Sequence, residues 1–249
     1  MKKNKSIKIW SVLLWVVIWQ IASMIIGKDI LLVSPIKVIV RLAELCVSSV
    51  FWESILFSLV RISGGFFLAV ILGVILAGLA SKIKAVREFL TPMMLVIKAT
   101  PVASFIILAL IWFSSHNLSI LISFLMVLPI IYTNVLDGIW ASDKLLIEMA
   151  EVYNIPFIRK VRYILIPQVM PFFRTGCNVA LGLCWKSGIA AEVIGMPDGS
   201  IGEHLQQAKI YLDTPDLFAW TIVIILVSTC FEKVVIHLID LWRRRLERM

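Results

Sequence analysis

The sequence has few charged residues. Only 16% of its 249 residues are Asp, Glu, Lys or Arg, whereas 60% are hydrophobic and the mean hydropathy is +0.96. Soluble domains average roughly 45–50% apolar residues and about a quarter charged ones. Because a water-soluble fold of this length could not bury so many apolar side chains, the composition indicates an integral membrane protein.

Several signatures of enzymes are also missing. The four cysteines form no CxxC pair, and the three histidines have no partners at metal-ligand spacing. No nucleophile and base are arranged for catalysis, and no GxxxxGK[ST] loop occurs, because Ala22 stands where Gly27-Lys28 would need the first glycine. We therefore expect the chain to be non-catalytic and to bind no metal or cofactor itself. Its net charge of +8 lies in short clusters between apolar runs, which is typical of membrane topology and not of nucleic-acid binding.

The apolar runs predict an all-α, polytopic membrane helix bundle with about six transmembrane helices. The first helix is predicted at about 9–26; a signal peptide has a shorter apolar core, so we interpret this helix as retained. The segment Ser34–Val50 is too short and too charged to cross, and it is predicted to lie along the interface. Chain 1–249 is expected to form a single transmembrane domain with its core at about 54–240. The other predicted spans are 54–80, 92–113, 117–138, 168–191 and 216–238.

The basic residues predict the orientation. With the N-terminus inside, sixteen lie on the inner side and four on the outer side, so both termini are expected in the cytoplasm. The inner residues are Lys2, Lys3, Lys5, Lys8, Lys82, Lys84, Arg87, Lys144, Arg159, Lys160, Arg162, Arg174, Arg243, Arg244, Arg245 and Arg248, and the outer ones are Lys28, Lys37, Arg41 and Lys209.

Two predicted spans carry a small residue at every fourth position. This spacing lets helix backbones approach closely, and we interpret it as packing within the bundle in preference to a dimer interface. The two stripes are Gly65, Ala69, Gly73 and Ala77 in one span, and Gly176, Ala180, Cys184 and Gly188 in another.

The longest predicted inner loop, 142–167, contains a short amphipathic helix. Asp143 is its predicted N-cap, and Asn154 tolerates a left-handed conformation at its end, where Pro156 prevents continuation. From the pattern alone, this helix could lie on lipid or bind another protein. Its apolar face comprises Leu145, Leu146, Met149, Val152 and Tyr153.

This loop resembles the EAA motif of bacterial ABC importer permeases, in which EAA is followed by three residues, a glycine, nine residues and I-x-x-P. Glu148-Met149-Ala150, Asn154, Ile164 and Pro167 occupy the corresponding positions, with Met149 and Asn154 departing from the motif. The likeness to permeases for nitrate, sulfonate and taurine covers the chain from about residue 34. Further similar segments are Ser34-Pro35, Ser58 to Arg61, Gly64-Gly65, Pro92, Pro101, Glu148 to Pro171, Ala191 to Gly195, Gly199 to Gly202 and Thr214 to Asp216.

The resemblance implies the MetI-like ABC permease fold and a place in a bacterial cell membrane. It implies that the loop helix couples the chain to a cytoplasmic ATPase, which holds ATP and Mg²⁺. It also implies an extracytoplasmic substrate-binding protein and a second permease copy as partners, besides membrane lipid. Met149 and Asn154 leave the choice of ATPase partner open. The residues expected to couple this chain to the ATPase are Glu148, Met149, Ala150, Tyr153, Asn154 and Pro167.

Four ionisable residues near membrane depth are candidates for the translocation path. Cations there would suit a small anion such as a sulfonate, taurine or nitrate, although ion pairing or snorkelling is the alternative for Arg61 and Lys98. Permeases for vitamin precursors, such as a pyrimidine or riboflavin, are similar and form a second hypothesis. A secondary transporter driven by an ion gradient is a third, but no internal repeat is visible. The candidates are Lys186, Glu192, Arg61 and Lys98.

Overall fold

The computed structural model describes residues 9–246, and within them it is helical without strands. Lys2, Lys3, Lys5, Lys8 and Arg248, which contribute to the predicted orientation, lie outside the described residues. The helices are α1 (Ile9–Ile26), α2 (Pro35–Val47), α3 (Ser49–Lys82), α4 (Lys84–Ala99), α5 (Val102–Trp112), α6 (Ser115–Trp140), α7 (Lys144–Val152), α8 (Phe157–Lys160), α9 (Ile166–Gly195), α10 (Ile201–Ile210) and α11 (Thr214–Leu246), with a π-helical turn at Val161–Leu165 between α8 and α9.

Four helical stretches are long and apolar enough to cross a membrane: α3, α6, α11, and the run from Phe157 to Gly195 that joins α8, the π turn and α9. The shorter apolar helix α1 corresponds to the first predicted span, and α2 is the separate amphipathic helix predicted beside it. At 34 residues, α3 is about 51 Å long and exceeds the roughly 30 Å hydrocarbon core. The fold is thus the predicted all-α membrane bundle.

The third predicted span is not one helix. In place of a continuous span at 92–113, α4 and α5 meet at a bend of 107°. Pro101 explains the break: it has no N–H to donate, and it disfavours helical geometry at Thr100, which is extended with ψ 131°. Hydropathy alone does not reveal this, because residues 92–113 are mostly apolar on both sides of the bend, and Lys98 is their single charged residue.

The core forms around α6, against which α3 and α9 pack most extensively. Both small-residue stripes face it. A Cβ on Gly65 would lie 2.5 Å from the carbonyl oxygen of Ile120, and one on Gly176 would lie 2.9 Å from Cβ of Asn134. The interpretation of these stripes as packing within the bundle is confirmed, because small side chains are what permit α3 and α9 to approach α6.

The two ends of the bundle are held by different charged contacts. At one, which we call the basic end, α3, α6 and α11 finish, and the Lys82 ammonium lies 3.8 Å from the ring centroid of Phe157. At the opposite end, α3 and α11 begin, and the Arg41 guanidinium on α2 lies 2.9 Å from the Asp216 carboxylate on α11. The predicted coupling loop, 142–167, lies at the basic end.

Candidate functional site

The short helix α7 is fixed to the bundle at its start. The Asp143 side chain accepts a hydrogen bond of 2.9 Å from the backbone N–H of Leu145, so the predicted N-cap is confirmed. The backbone N–H of Asp143 in turn donates to the side-chain carbonyl of Gln168 at 2.7 Å. Because Gln168 belongs to α9, the first turn of α7 is tied directly to a membrane-crossing helix.

The end of α7 has the conformation that the sequence predicts. Asn154 has φ 51°, in the left-handed region, and Ile155 donates its backbone N–H to the carbonyl of Ala150 at 2.9 Å. Asparagine therefore occupies the conformation that glycine would adopt at the corresponding motif position. The substitution of glycine by Asn154 leaves the turn intact.

A second tie joins the end of α7 to the run that continues into α9. The Lys160 ammonium donates to the Glu151 carboxylate at 2.6 Å, and the Lys160 side chain is largely buried. From Phe157 the chain is helical for 39 residues up to Gly195. Pro167 thus lies inside this helical run. It cannot donate to the carbonyl four residues earlier, and the π turn ends just before it.

Most of the apolar face of α7 has no partner within the described chain. The exposed fractions are 74% for Leu145, 77% for Val152 and 74% for Tyr153. Glu148 and Met149 are also exposed. An exposed apolar face next to charged residues on a helix outside the spans is suited to binding another protein.

Ala150 occupies a different position from the other motif residues. It is only 1% exposed, so its side chain packs inside this chain and offers no surface to an ATPase. The coupling role expected for Ala150 stays a prediction, and its burial indicates that it would act through the shape of α7 and not through its own surface. Helical periodicity places Ala150 on α7 but cannot tell a covered position from an exposed one.

The four candidate path residues do not form one site. Lys98 and Lys186 are exposed, and the Lys98 ammonium lies 3.4 Å from the Thr133 hydroxyl beside the α4–α5 bend. Arg61 lies on the Phe57 ring and contacts His116 in the first turn of α6. These three side chains belong to three different helices.

Glu192 is enclosed within this chain, and its place on a translocation path stays a prediction. It is fully buried, and its carboxyl accepts hydrogen bonds from the Ser58 hydroxyl at 2.7 Å and from the Gly202 N–H at 3.3 Å. The Ser58 hydroxyl also accepts the backbone N–H of Ile201 at 3.0 Å. Glu192 therefore joins α3, α9 and the start of α10.

Sequence reasoning missed two other contacts that position these helices. The Arg174 guanidinium on α9 binds the Asp240 carboxylate on α11 through two hydrogen bonds, of 2.5 and 2.9 Å. Gln168, which holds the start of α7, was likewise not identified. In both cases a polar residue in an apolar stretch was the available signal, but its partner lies on another element and pairing cannot be read from one sequence.

Comparison with known proteins identifies the family. Residues 69–248 match the family described as binding-protein-dependent transport system inner membrane component. The chain belongs to this family. It is thus a membrane component of a transport system. The family description names a binding protein on which transport depends, which is the arrangement of ABC importers. The comparisons give no support to the secondary-transporter alternative.

The names of individual relatives of this permease mention different solutes. It is 25% identical over 220 residues to the taurine transport system permease protein of Escherichia coli, covering 86% of this chain and 80% of the relative. It is 28% identical over 206 residues to the nitrate import permease protein of Synechococcus elongatus, covering 78% and 73%. It is 26% identical over 208 residues to the formylaminopyrimidine transport permease protein of Halalkalibacterium halodurans, covering 83% and 82%.

A crystal structure of an amino acid ABC transporter with histidines has the same fold. The two superpose with a TM-score of 0.57 over 83% of this chain and 96% of the other, at 19% sequence identity. The predicted ABC permease fold is therefore confirmed.

Proposed function

We propose that this chain is the membrane-spanning subunit of an ATP-driven importer for a small anionic solute of the sulfonate, taurine or nitrate type. The whole chain, 1–249, would act as one transmembrane domain, with the basic end and both termini in the cytoplasm. Two copies would form the pore, each bound to an ATPase subunit, with a substrate-binding protein on the outer side. Closure of the two ATPases would switch the pore between inward-facing and outward-facing states.

The observation that carries this proposal is that α7 has an exposed apolar face and is tied at both ends to the membrane helices. Its exposed apolar face suits a groove on a partner, while Asp143–Gln168 and Glu151–Lys160 hydrogen bonds tie its two ends to α9 and to the helical run before it. A force applied to α7 would thus move a membrane helix and would not be lost in a loose loop. The predicted coupling residues that fit direct contact are Glu148, Met149 and Tyr153, whereas Asn154 and Pro167 shape the connection.

An anion is favoured by three cations, of which Lys98 and Lys186 are exposed and Arg61 is partly exposed. Lys98 lies beside the helix break and Lys186 lies on α9, while Arg61 is near the opposite end of the bundle, so the three could meet an anion at different stages of passage. The names of the taurine and nitrate relatives agree with this solute class. The formylaminopyrimidine relative supports a pyrimidine vitamin precursor as the second candidate.

Co-purification tests the coupling role. Leu145→Asp places a charge on the exposed face of α7 without touching its ties to α9, and it should abolish co-purification of the cognate ATPase. The matched control is Ile210→Asp, which changes an exposed apolar residue on α10 and should retain the ATPase. Normal assembly of the Leu145→Asp chain would contradict docking through α7.

Uptake into proteoliposomes tests the function as a whole. With the cognate ATPase and binding protein present, uptake of a sulfonate or nitrate should require ATP and should fall in Lys186→Ala and Lys98→Ala. ATP-dependent uptake of a pyrimidine alone, unchanged by these substitutions, would favour the second candidate. Uptake that persists without ATP would overturn the importer proposal.

A further inference from the structure

An apolar cavity of about 550 Å³ opens at the basic end, between α3, α6, α9 and α11. Its volume is within the range of pockets that hold small molecules. A second cavity, of about 530 Å³, adjoins it, because Phe157, Val161, Ile166 and Trp242 line both. We call the two together the basal groove. Apolar residues that line only the first cavity include Val74, Leu79, Val135, Val169, Met170 and Phe173.

Cations stand at the rim of the basal groove. Lys82 lines the first cavity, with its ammonium 3.8 Å from the ring centroid of Phe157. Arg162 and Arg245 line the second, and the exposed indole of Trp242 lies between the two cavities. An apolar volume bordered by cations and a tryptophan matches a molecule with a hydrocarbon chain and an anionic head.

We propose that the basal groove binds an anionic phospholipid, with an acyl chain in the apolar cavity and the phosphate near Lys82 and Arg245. If the basic end faces the cytoplasm, as proposed above, the lipid comes from the cytoplasmic leaflet. Lipid binding itself does not depend on which solute is transported. A soluble anion would leave the apolar volume unfilled. A second copy of the chain is a poorer occupant, because a two-fold symmetric contact at the groove would place its cations against the same cations of the first copy.

Gly78 allows a direct test of the cavity. It lines the groove, and a Cβ at this position would meet nothing within 4 Å, so a larger side chain would extend into open space. Gly78→Leu should fill part of the groove without altering a charge. Gly64→Leu is the matched control, because Gly64 lies on the same helix with equally open surroundings and does not line the groove.

Native mass spectrometry measures lipid retention. The purified chain, exchanged into phosphatidylglycerol or phosphatidylcholine, should retain phosphatidylglycerol preferentially, and Gly78→Leu should lose that lipid while Gly64→Leu keeps it. Each of Lys82→Gln and Arg245→Gln should weaken retention about fivefold, since a cation near an anionic head contributes roughly 1 kcal/mol. Equal retention of both lipids, or full retention in Gly78→Leu, would overturn the proposal.

Photo-crosslinking identifies the occupant without filling the groove. A benzoylphenylalanine crosslinker in place of Ile75, which lines the groove, should yield an adduct with the mass of an anionic phospholipid in native membranes. The same crosslinker in place of Ile71, which is exposed on α3 but outside the groove, should not select anionic lipid. An adduct from Ile75 to a second copy, or to the terminal residues of the same chain, would overturn the lipid assignment. Neither assay uses the ATPase or the solute, so failure of the transport proposal would leave these results unchanged.

Discussion

The hydroxyl of Ser58 on α3 donates a 2.7 Å hydrogen bond to the carboxyl of Glu192 on α9, and both side chains are fully buried. The two residues are 134 positions apart in the chain. Because the same hydroxyl accepts the N–H of Ile201, one serine joins three helices near the opposite end of the bundle. Through this contact Glu192 helps to hold α3, α9 and α10 together.

Ser58→Ala should lower the stability of the bundle. The substitution removes one of two donors to the Glu192 carboxyl and the acceptor of the Ile201 N–H, and a buried group left without a partner costs about 1–3 kcal/mol. Thermal unfolding in detergent should show a clear drop in the apparent Tm. Ser63→Ala is the control, since the Ser63 hydroxyl only donates to the carbonyl of Val60 in its own helix. Equal Tm values for the two variants would refute this assignment.

Gly202→Ala should destabilise the same junction, and Gly182→Ala should not. A Cβ on Gly202 would lie 2.5 Å from the carbonyl carbon of Glu192 and 2.6 Å from the nitrogen of Val193, so the backbone of α9 or α10 would have to move. Overpacking of this kind costs about 1–3 kcal/mol. A Cβ on Gly182, in the middle of α9, meets nothing within 4 Å, and alanine there gains up to about 1 kcal/mol of helix propensity. The two variants should therefore shift the apparent Tm in opposite directions.

The Arg174–Asp240 pair should show measurable coupling between α9 and α11. Both side chains are about two-thirds covered, and the contact has two hydrogen bonds. A double-mutant cycle with Arg174→Gln and Asp240→Asn should give a coupling energy of about 1–2 kcal/mol. The Lys84–Glu88 pair, at 3.6 Å and mostly exposed, serves as comparison and should give about 0.5 kcal/mol or less. Similar values for both pairs would argue against a stabilising role for Arg174.

The left-handed residue after α7 should accept glycine and reject a β-branched residue. Asn154→Gly should preserve the turn, because glycine adopts a left-handed conformation readily. Asn154→Val places a branched side chain at φ 51°, at a cost of roughly 1–2 kcal/mol or more. Limited proteolysis of the purified chain should therefore cut the 142–167 loop faster in Asn154→Val than in the natural sequence. Asn154→Gly should be cut at the natural rate; faster cutting of that variant would show that the asparagine side chain itself is needed.

Local features of this molecule could be predicted from the sequence. The N-cap at Asp143 and the left-handed conformation at Asn154 depend on a few neighbouring residues, whose chemistry is visible in order along the chain. The helices follow from long apolar runs, and the stripes of small residues correctly indicate which faces pack closely. These signals do not need knowledge of distant partners.

Contacts between distant elements could not be predicted. The buried position of Glu192 depends on Ser58 and on the start of α10, which are far from it in the sequence or on another helix. The bend between α4 and α5 is an intermediate case. Pro101 signals a break in the helix, but a hydropathy window averages over it because the residues on both sides remain apolar.

The α4–α5 bend also bears on which side of the bundle can face lipid. Irregular backbone cannot be left facing hydrocarbon, because its unpaired peptide groups need protein or water. The Thr100–Pro101 side of the molecule is therefore better suited to an aqueous passage or a neighbouring subunit than to lipid. Of the four membrane-crossing stretches, α11 is the least enclosed by the rest of the chain, and its regular helix satisfies its own backbone groups. One flank of this molecule is consequently suited to fluid lipid and the other is not.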